Sequence, residues 1–169
     1  AFPGDGVIRT RMVAILAADA VRGESIMAMS DALTAAGAVP VVIAPRLGGV
    51  RTADEHPVEA AATLEGSAPA LFDGLVLPDF ADGVAERARH ERTMDFIRDQ
   101  YRHGKPILAL GASKILLGSA GVGRALPSGE REPGIRLTRD GEDASGSFMA
   151  ALGKHRHTQR EATLQRVVT

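Results

Sequence analysis

The stretch Lys105-Pro106-Ile107-Leu108-Ala109-Leu110-Gly111-Ala112-Ser113-Lys114-Ile115-Leu116-Leu117 reads as a buried strand, a sharp turn and an amphipathic helix. In α/β enzymes such a turn lifts a reactive side chain out of the sheet toward a substrate. Here the turn position is Gly111, which has no side chain, Ala112 follows it, and the chain contains no cysteine. The nearest hydroxyl is that of Ser113, which would need a base. Ligands in this kind of layer sit beyond the carboxyl ends of the strands, where Asp19 and Glu24 follow one apolar run and Asp79 and Asp82 another. A carboxylate pair beside a hydroxyl could do acid–base work. No histidine falls in the set, and Asp and Ser are favoured helix caps. The reading is therefore capping, with no catalytic residue.

Other chemistries find less support. Gly118-Ser119-Ala120-Gly121-Val122-Gly123 follows a helix and lacks the Gly-Lys-Ser/Thr ending of a phosphate loop. Flavin binding would want a hydroxyl-rich loop after the first strand, and Ala17-Ala18-Asp19-Ala20-Val21-Arg22 is not one. His56, His90, His103, His155 and His157 form no metal-ligand spacing. His155 and His157 alternate with Lys154 and Arg156 and read as a solvated basic helix end. No metal site and no cofactor in this chain is expected.

The elements that must position the turn are four apolar runs: Met12 to Ala17, Val39 to Ala44, Gly74 to Leu77 and Pro106 to Leu110. Each is of strand length and apolar on both alternating faces, as in a parallel sheet covered by helices. Ile26, Met29, Leu33 and Ala36 trace one helix face, and Gly37 stops it. A second helix is predicted from Gly83 to His103, with Met94, Ile97 and Tyr101 inward and Gly104 at its end. The alternation predicts an α/β, doubly wound, mostly parallel sheet with helices on both faces. Residues 45–70 suit a hairpin and a surface loop, residues 118–134 a loop, Ile135 to Thr138 a last strand, and the segment from Asp143 a closing helix. Residues 1–10 read as a linker, and 11–169 as a single domain.

Twenty Lys and Arg against 21 Asp and Glu leave a net charge of −1, so no field draws in nucleic acid or an anionic membrane. No apolar run approaches the roughly 20 residues that span a bilayer. Without cysteine there are no disulfides and no thiolate metal sites, which fits a reducing cytoplasm.

Several stretches carry a resemblance: Arg11 to Val21, Ala35 to Val39, Ile43-Ala44-Pro45-Arg46-Leu47-Gly48, Ser67 to Asp73, Phe96-Ile97-Arg98, Tyr101 to Ile107, Ala109-Leu110-Gly111, Phe148 to Leu152, and Lys154-His155-Arg156-His157 with Arg160-Glu161. Over residues 10–161 the chain resembles the C-terminal domain of large-subunit haem catalases, which is flavodoxin-like. That domain is similar in turn to the class I glutamine amidotransferase-like superfamily, including PfpI-type proteases. Active members place a cysteine at the elbow, a histidine after it and a glutamate after the first strand. Gly111, Ala112 and the neighbourhood of Arg22 depart from all three. The resemblance thus implies a vestigial pocket around Gly111, Ala112, Ser113, Arg22, Asp19 and Asp79. Where the catalase domains have Pro-Gly-Gly, this chain has Pro78-Asp79-Phe80, and Phe80 is expected to narrow the pocket mouth.

The resemblance further implies a cytoplasmic, homotetrameric parent that converts hydrogen peroxide to water and oxygen at a haem held in its β-barrel core. The partners would be that core in the same polypeptide and the neighbouring subunits. This domain would add stability, subunit contacts and part of the route of peroxide, with a chaperone-like role as a secondary one in isolation. Tyr101, the only tyrosine, reads as a helix-face residue and not a haem ligand. The alternatives are a stand-alone PfpI-like hydrolase or deglycase, whose one foothold is Ser113, and a small-ligand module that binds flavin or nucleotide.

Overall fold

A computed structural model of the chain describes residues 10–81, 91–122 and 135–138 (the last by backbone), with Phe148, Met149 and Leu152. In chain order the elements are β1 (Met12–Leu16), α1 (Gly23–Ala35), β2 (Val39–Ala44), β3 (Gly48–Val50), β4 (Val58–Ala60), β5 (Ala62–Thr63), β6 (Gly74–Leu77), α2 (Glu91–Arg102), β7 (Ile107–Leu110), α3 (Lys114–Ser119) and β8 (Ile135–Thr138). The main sheet runs β5-β2-β1-β6-β7-β8, and every pairing in it is parallel.

Of the runs without polar alternation, β1, β6 and β7 lie where both faces are covered, while β2 is half-buried over Pro40 to Val42 and buried at Ile43 and Ala44. β1 is central: Val13 pairs with Pro40 on one side and Gly74 on the other, and Ile15 with Val42 and Val76. Val13, Ile15, Leu75, Val76, Ile107 and Leu108 are all fully buried. From β1 the chain crosses through α1 to β2, and from β6 through α2 to β7, in opposite directions along the sheet. Right-handed crossovers then set α1 and α2 on opposite faces. The direction reverses between β1 and β6, so the crevice of such a sheet opens at their carboxyl ends.

The expected strands and both helix faces are present. Ile26, Met29 and Leu33 are buried on α1, Met94 and Ile97 on α2, and Gly104 leaves α2 with φ +73°. The stretch from residue 45 to 70 is more ordered than a hairpin with a loop. β3 and β4 form the hairpin, but β5 then joins the main sheet beside Ile43 and Ala44. Two residues of edge strand are too short to show a periodicity. The expected linker (but for Thr10), the helix from Gly83 as far as His90, Gly123 to Gly134 and the segment Lys154 to Arg166 lie outside the described residues. Among the described residues, no helix is long and apolar enough to cross a membrane.

The helix α1 is capped from a distance. Arg22, at its N-cap, provides no side-chain bond. Instead the Asp54 carboxylate, 31 residues on, accepts from the Gly23 N–H at 3.0 Å and the Glu24 N–H at 3.1 Å. It also accepts from the His56 N–H at 3.2 Å, while the Thr52 hydroxyl donates to the Asp54 carbonyl at 2.7 Å. A Cβ at Gly23 would lie 2.9 Å from Asp54 Oδ1 and run into the His56 carbonyl, so the approach requires glycine. Burial alone would push the Asp54 carboxyl up. The N–H groups of Glu24, His56 and Gly23, helped by the charge of His56, outweigh that and hold it below the ordinary aspartate value.

The loss on Asp54→Ala should be about 1–2 kcal/mol at neutral pH, typical of a removed cap. Because the folded value is depressed, this stabilisation is complete above about pH 4 and disappears as pH falls through the folded value. Urea unfolding of both proteins across pH 2–7 would check it, with the two curves converging at the acid end.

Candidate functional site

The carboxyl ends of β1, β6 and β7 meet at one side chain. The register pairs Leu77 with Ala109, so two residues further Asp79 stands opposite Gly111. Asp79 Oδ1 accepts the Ala112 N–H at 2.8 Å and the Phe80 N–H at 2.9 Å. Its Oδ2 lies 3.3 Å from Arg22 Nε, and its side chain is 12% exposed. The backbone of Asp79 is held as well: its carbonyl accepts the Arg22 N–H at 2.8 Å, and its N–H donates to the Ser25 hydroxyl at 3.1 Å.

Gly111 opens the turn Gly111–Ser113 with φ +53°, a left-handed conformation suited to glycine. A Cβ built there falls 2.5 Å from Asp79 Cγ and 2.8 Å from Oδ2. The carboxylate thus fills the space a nucleophile's side chain would use. It also takes the N–H of the residue after the elbow, a donor that acyl-transfer enzymes of similar build aim at an oxyanion.

The other expected residues are placed as follows. Ser113 is fully buried, and its hydroxyl donates to the Pro78 carbonyl. That bond ties the turn to β6, and contrary to the capping expectation Ser113 makes no side-chain cap for α3. Asp19 is exposed and accepts the Arg51 N–H at 3.3 Å, so it too caps no helix of its own. Glu24 is exposed, and its N–H is the one bound by Asp54. Asp82 lies outside the described residues. Arg22 faces Asp79 with opposite charge. Ala112 contributes its backbone N–H. Phe80 is a correction in detail: its ring is 2% exposed and belongs to the core, and Asp79 is the group that approaches the turn.

The loop after β1 is pinned on both sides. Val21 bridges Phe80, the Ala81 N–H donates to the Ala20 carbonyl at 3.1 Å, and the Ala20 N–H to the Arg51 carbonyl at 2.7 Å. Ala20 itself is held at φ +72°. Among the described residues, no group of three His, Asp or Glu side chains could hold a metal ion. The roles of Ser25 and of the Asp79–Gly111 contact were not read from the sequence. Their signal is a register: an aspartate two residues past one strand, beside a glycine two residues past its neighbour.

The strand order β2-β1-β6-β7-β8 with its turn after β7 defines a flavodoxin-like α/β domain. Its fold is similar to that of a two-domain protein containing DJ-1/ThiJ/PfpI-like and ferritin-like domains from Anabaena variabilis, with a TM-score of 0.74 and 17% identity over 85% of this chain and 48% of that one. Residues 9–162 match the model of the C-terminal domain found in long catalases, and the chain belongs to that family. It is 29% identical to a catalase HPII of Pseudomonas aeruginosa over 96% of its own length and 22% of the relative's. It is 32% identical to catalase C of Rhizobium meliloti over 92% and 21%. Catalase-1 of Neurospora crassa is 26% identical over 94% and 24%. The chain therefore spans between a fifth and a quarter of the length of the curated relatives it matches.

Removing the carboxylate by Asp79→Ala leaves two N–H donors without their charged acceptor and should cost about 2–4 kcal/mol. Saturating formate, read in the same thermal melts, should recover part of it and chloride should not. Gly111→Ala should cost about 2 kcal/mol or more with Asp79 in place, but only the left-handed penalty of about 1 kcal/mol when combined with Asp79→Ala. Additive losses in that cycle would mean that the carboxylate does not fill the elbow.

Proposed function

We propose that this chain serves as a non-catalytic C-terminal domain of a large haem catalase, adding stability, subunit contacts and a share of the peroxide route. The observation that supports it most is the elbow itself. Gly111 offers no nucleophile, Asp79 takes the vacant space, and the Ser113 hydroxyl is committed to a carbonyl. The cluster Gly111, Ala112, Ser113, Arg22 and Asp79, with Asp19 on the adjoining loop, then works as a structural clasp in a vestigial pocket. The catalytic hydrolase or deglycase alternative would need a free nucleophile there.

In this reading residues 1–10 are the linker, 11–169 the domain, and the parent a cytoplasmic homotetramer that disproportionates hydrogen peroxide. Haem belongs to the preceding core, and no residue of this chain is assigned to it; Tyr101 lies half-buried on α2, packed against the apolar core. A chaperone-like activity of the free domain is a secondary part of the proposal.

Deletion of residues 11–169 from the full polypeptide tests the reading. The truncated catalase should lose several degrees in its midpoint of thermal inactivation, with a weaker tetramer in sedimentation, while its haem spectrum is retained. An unchanged midpoint together with an unchanged tetramer would remove the stabilising role.

A further inference from the structure

The opposite end of the sheet, where the strands begin, is not explained by the elbow. The Thr10 N–H donates to the Gly37 carbonyl at 2.9 Å and the Val39 N–H to the Arg11 carbonyl at 2.8 Å. On the other side of β1, the Asp73 N–H donates to the Met12 carbonyl at 2.7 Å and the Met12 N–H to Asp73 Oδ2 at 2.9 Å. These bonds set the starts of β1, β2 and β6 side by side. With strands about 4.8 Å apart, Val39 and Asp73 flank Met12 within roughly 10 Å of each other.

Two large apolar side chains are exposed on this margin: Val39 by 44% and, two residues before Asp73, Leu71 by 65%. On the same margin Arg11 and Lys105 converge on the Asp73 carboxylate at 3.9 and 4.0 Å, with the two basic side chains 16% and 10% exposed and that of Asp73 30%. Scattered apolar residues on a surface need no explanation. These two share the margin with a half-buried ionic cluster, next to Thr10 and Arg11 where β1 begins. Protein interfaces combine apolar contacts with a polar, hydrogen-bonded rim.

We propose that this N-terminal margin of the sheet, with Leu71, Val39 and the Arg11–Asp73–Lys105 cluster, docks against the preceding core of the same polypeptide. The inference rests on the reading of the chain as the C-terminal domain of a long catalase. In that arrangement the remaining polypeptide arrives through Thr10, so the core is tethered at this margin and its effective concentration is highest there. The elbow and the β3–β4 hairpin occupy the far end, and Leu47, 66% exposed on the loop after β2, provides a matched control at that end.

The test compares Leu71→Asp with Leu47→Asp in the full-length catalase and in the 169-residue chain. Both side chains are exposed, so neither change should shift the melting of the short chain. In the full-length protein Leu71→Asp should lower the midpoint of thermal inactivation by roughly 3 °C or more, and Leu47→Asp should leave it unchanged. Amide exchange at residues 69–73 should be about tenfold slower in the full-length protein than in the short chain, and at residues 45–51 equal in the two. A neutral Leu71→Asp in the full-length protein, an equal effect of Leu47→Asp, or equal exchange at residues 69–73 would each overturn the docking face. A native polypeptide no longer than this chain, by mass, would instead overturn the reading of the chain as the C-terminal part of a longer catalase, on which the face depends.

Discussion

The Asp79 carboxylate stands where three strand ends converge, and its contacts account for the shape of that whole end of the molecule. It binds the turn after β7 through Ala112, its own loop through Phe80, and the loop after β1 through Arg22. Its backbone adds Arg22 again and Ser25 of α1. A buried carboxylate is costly unless its oxygens are satisfied. Here two N–H donors and a guanidinium meet that requirement, and they come from segments that share no sequence neighbourhood. The cost of burial is thereby turned into a cross-link between the two halves of the doubly wound sheet.

A second long-range clasp holds the same layer from the side. Asp54 caps α1 from the β3–β4 hairpin, so the first turn of the helix and the hairpin are ordered together. The two acidic groups do comparable work by the same means: each accepts backbone N–H groups that the local chain leaves without a partner. An aspartate near a strand end in such a fold is thus poor grounds for chemistry until its acceptor bonds are counted.

Much of the fold was legible because its strands are apolar on both faces. Met12 to Leu16 and Gly74 to Leu77 can be little else than buried parallel strands, and Gly37 and Gly104 mark the helix ends. β5 was not legible, since two residues carry no period. The site was legible as a vacancy: a glycine where a side chain belongs. What fills it was not, because the filling depends on the register of β6 against β7, a relation between residues more than thirty apart. Asp54 escaped for the same reason. Capping rules look at neighbours in sequence, and this cap is supplied across space. Ser113 was placed correctly at a helix start but given the wrong partner, since its hydroxyl turns to the Pro78 carbonyl and not to its own helix.

The contact between Gly111 and Asp79 has a bearing on descent as well as on stability. A side chain at position 111 collides with the carboxylate, while a chain without that carboxylate leaves the turn's amides bare. Each residue is tolerable because of the other. A route from this sequence to one bearing a nucleophile must therefore change both positions, and either first step passes through a weakened protein. Such sign-dependent pairing works as a ratchet: a turn of this kind does not gain a side chain by one substitution without a loss of stability.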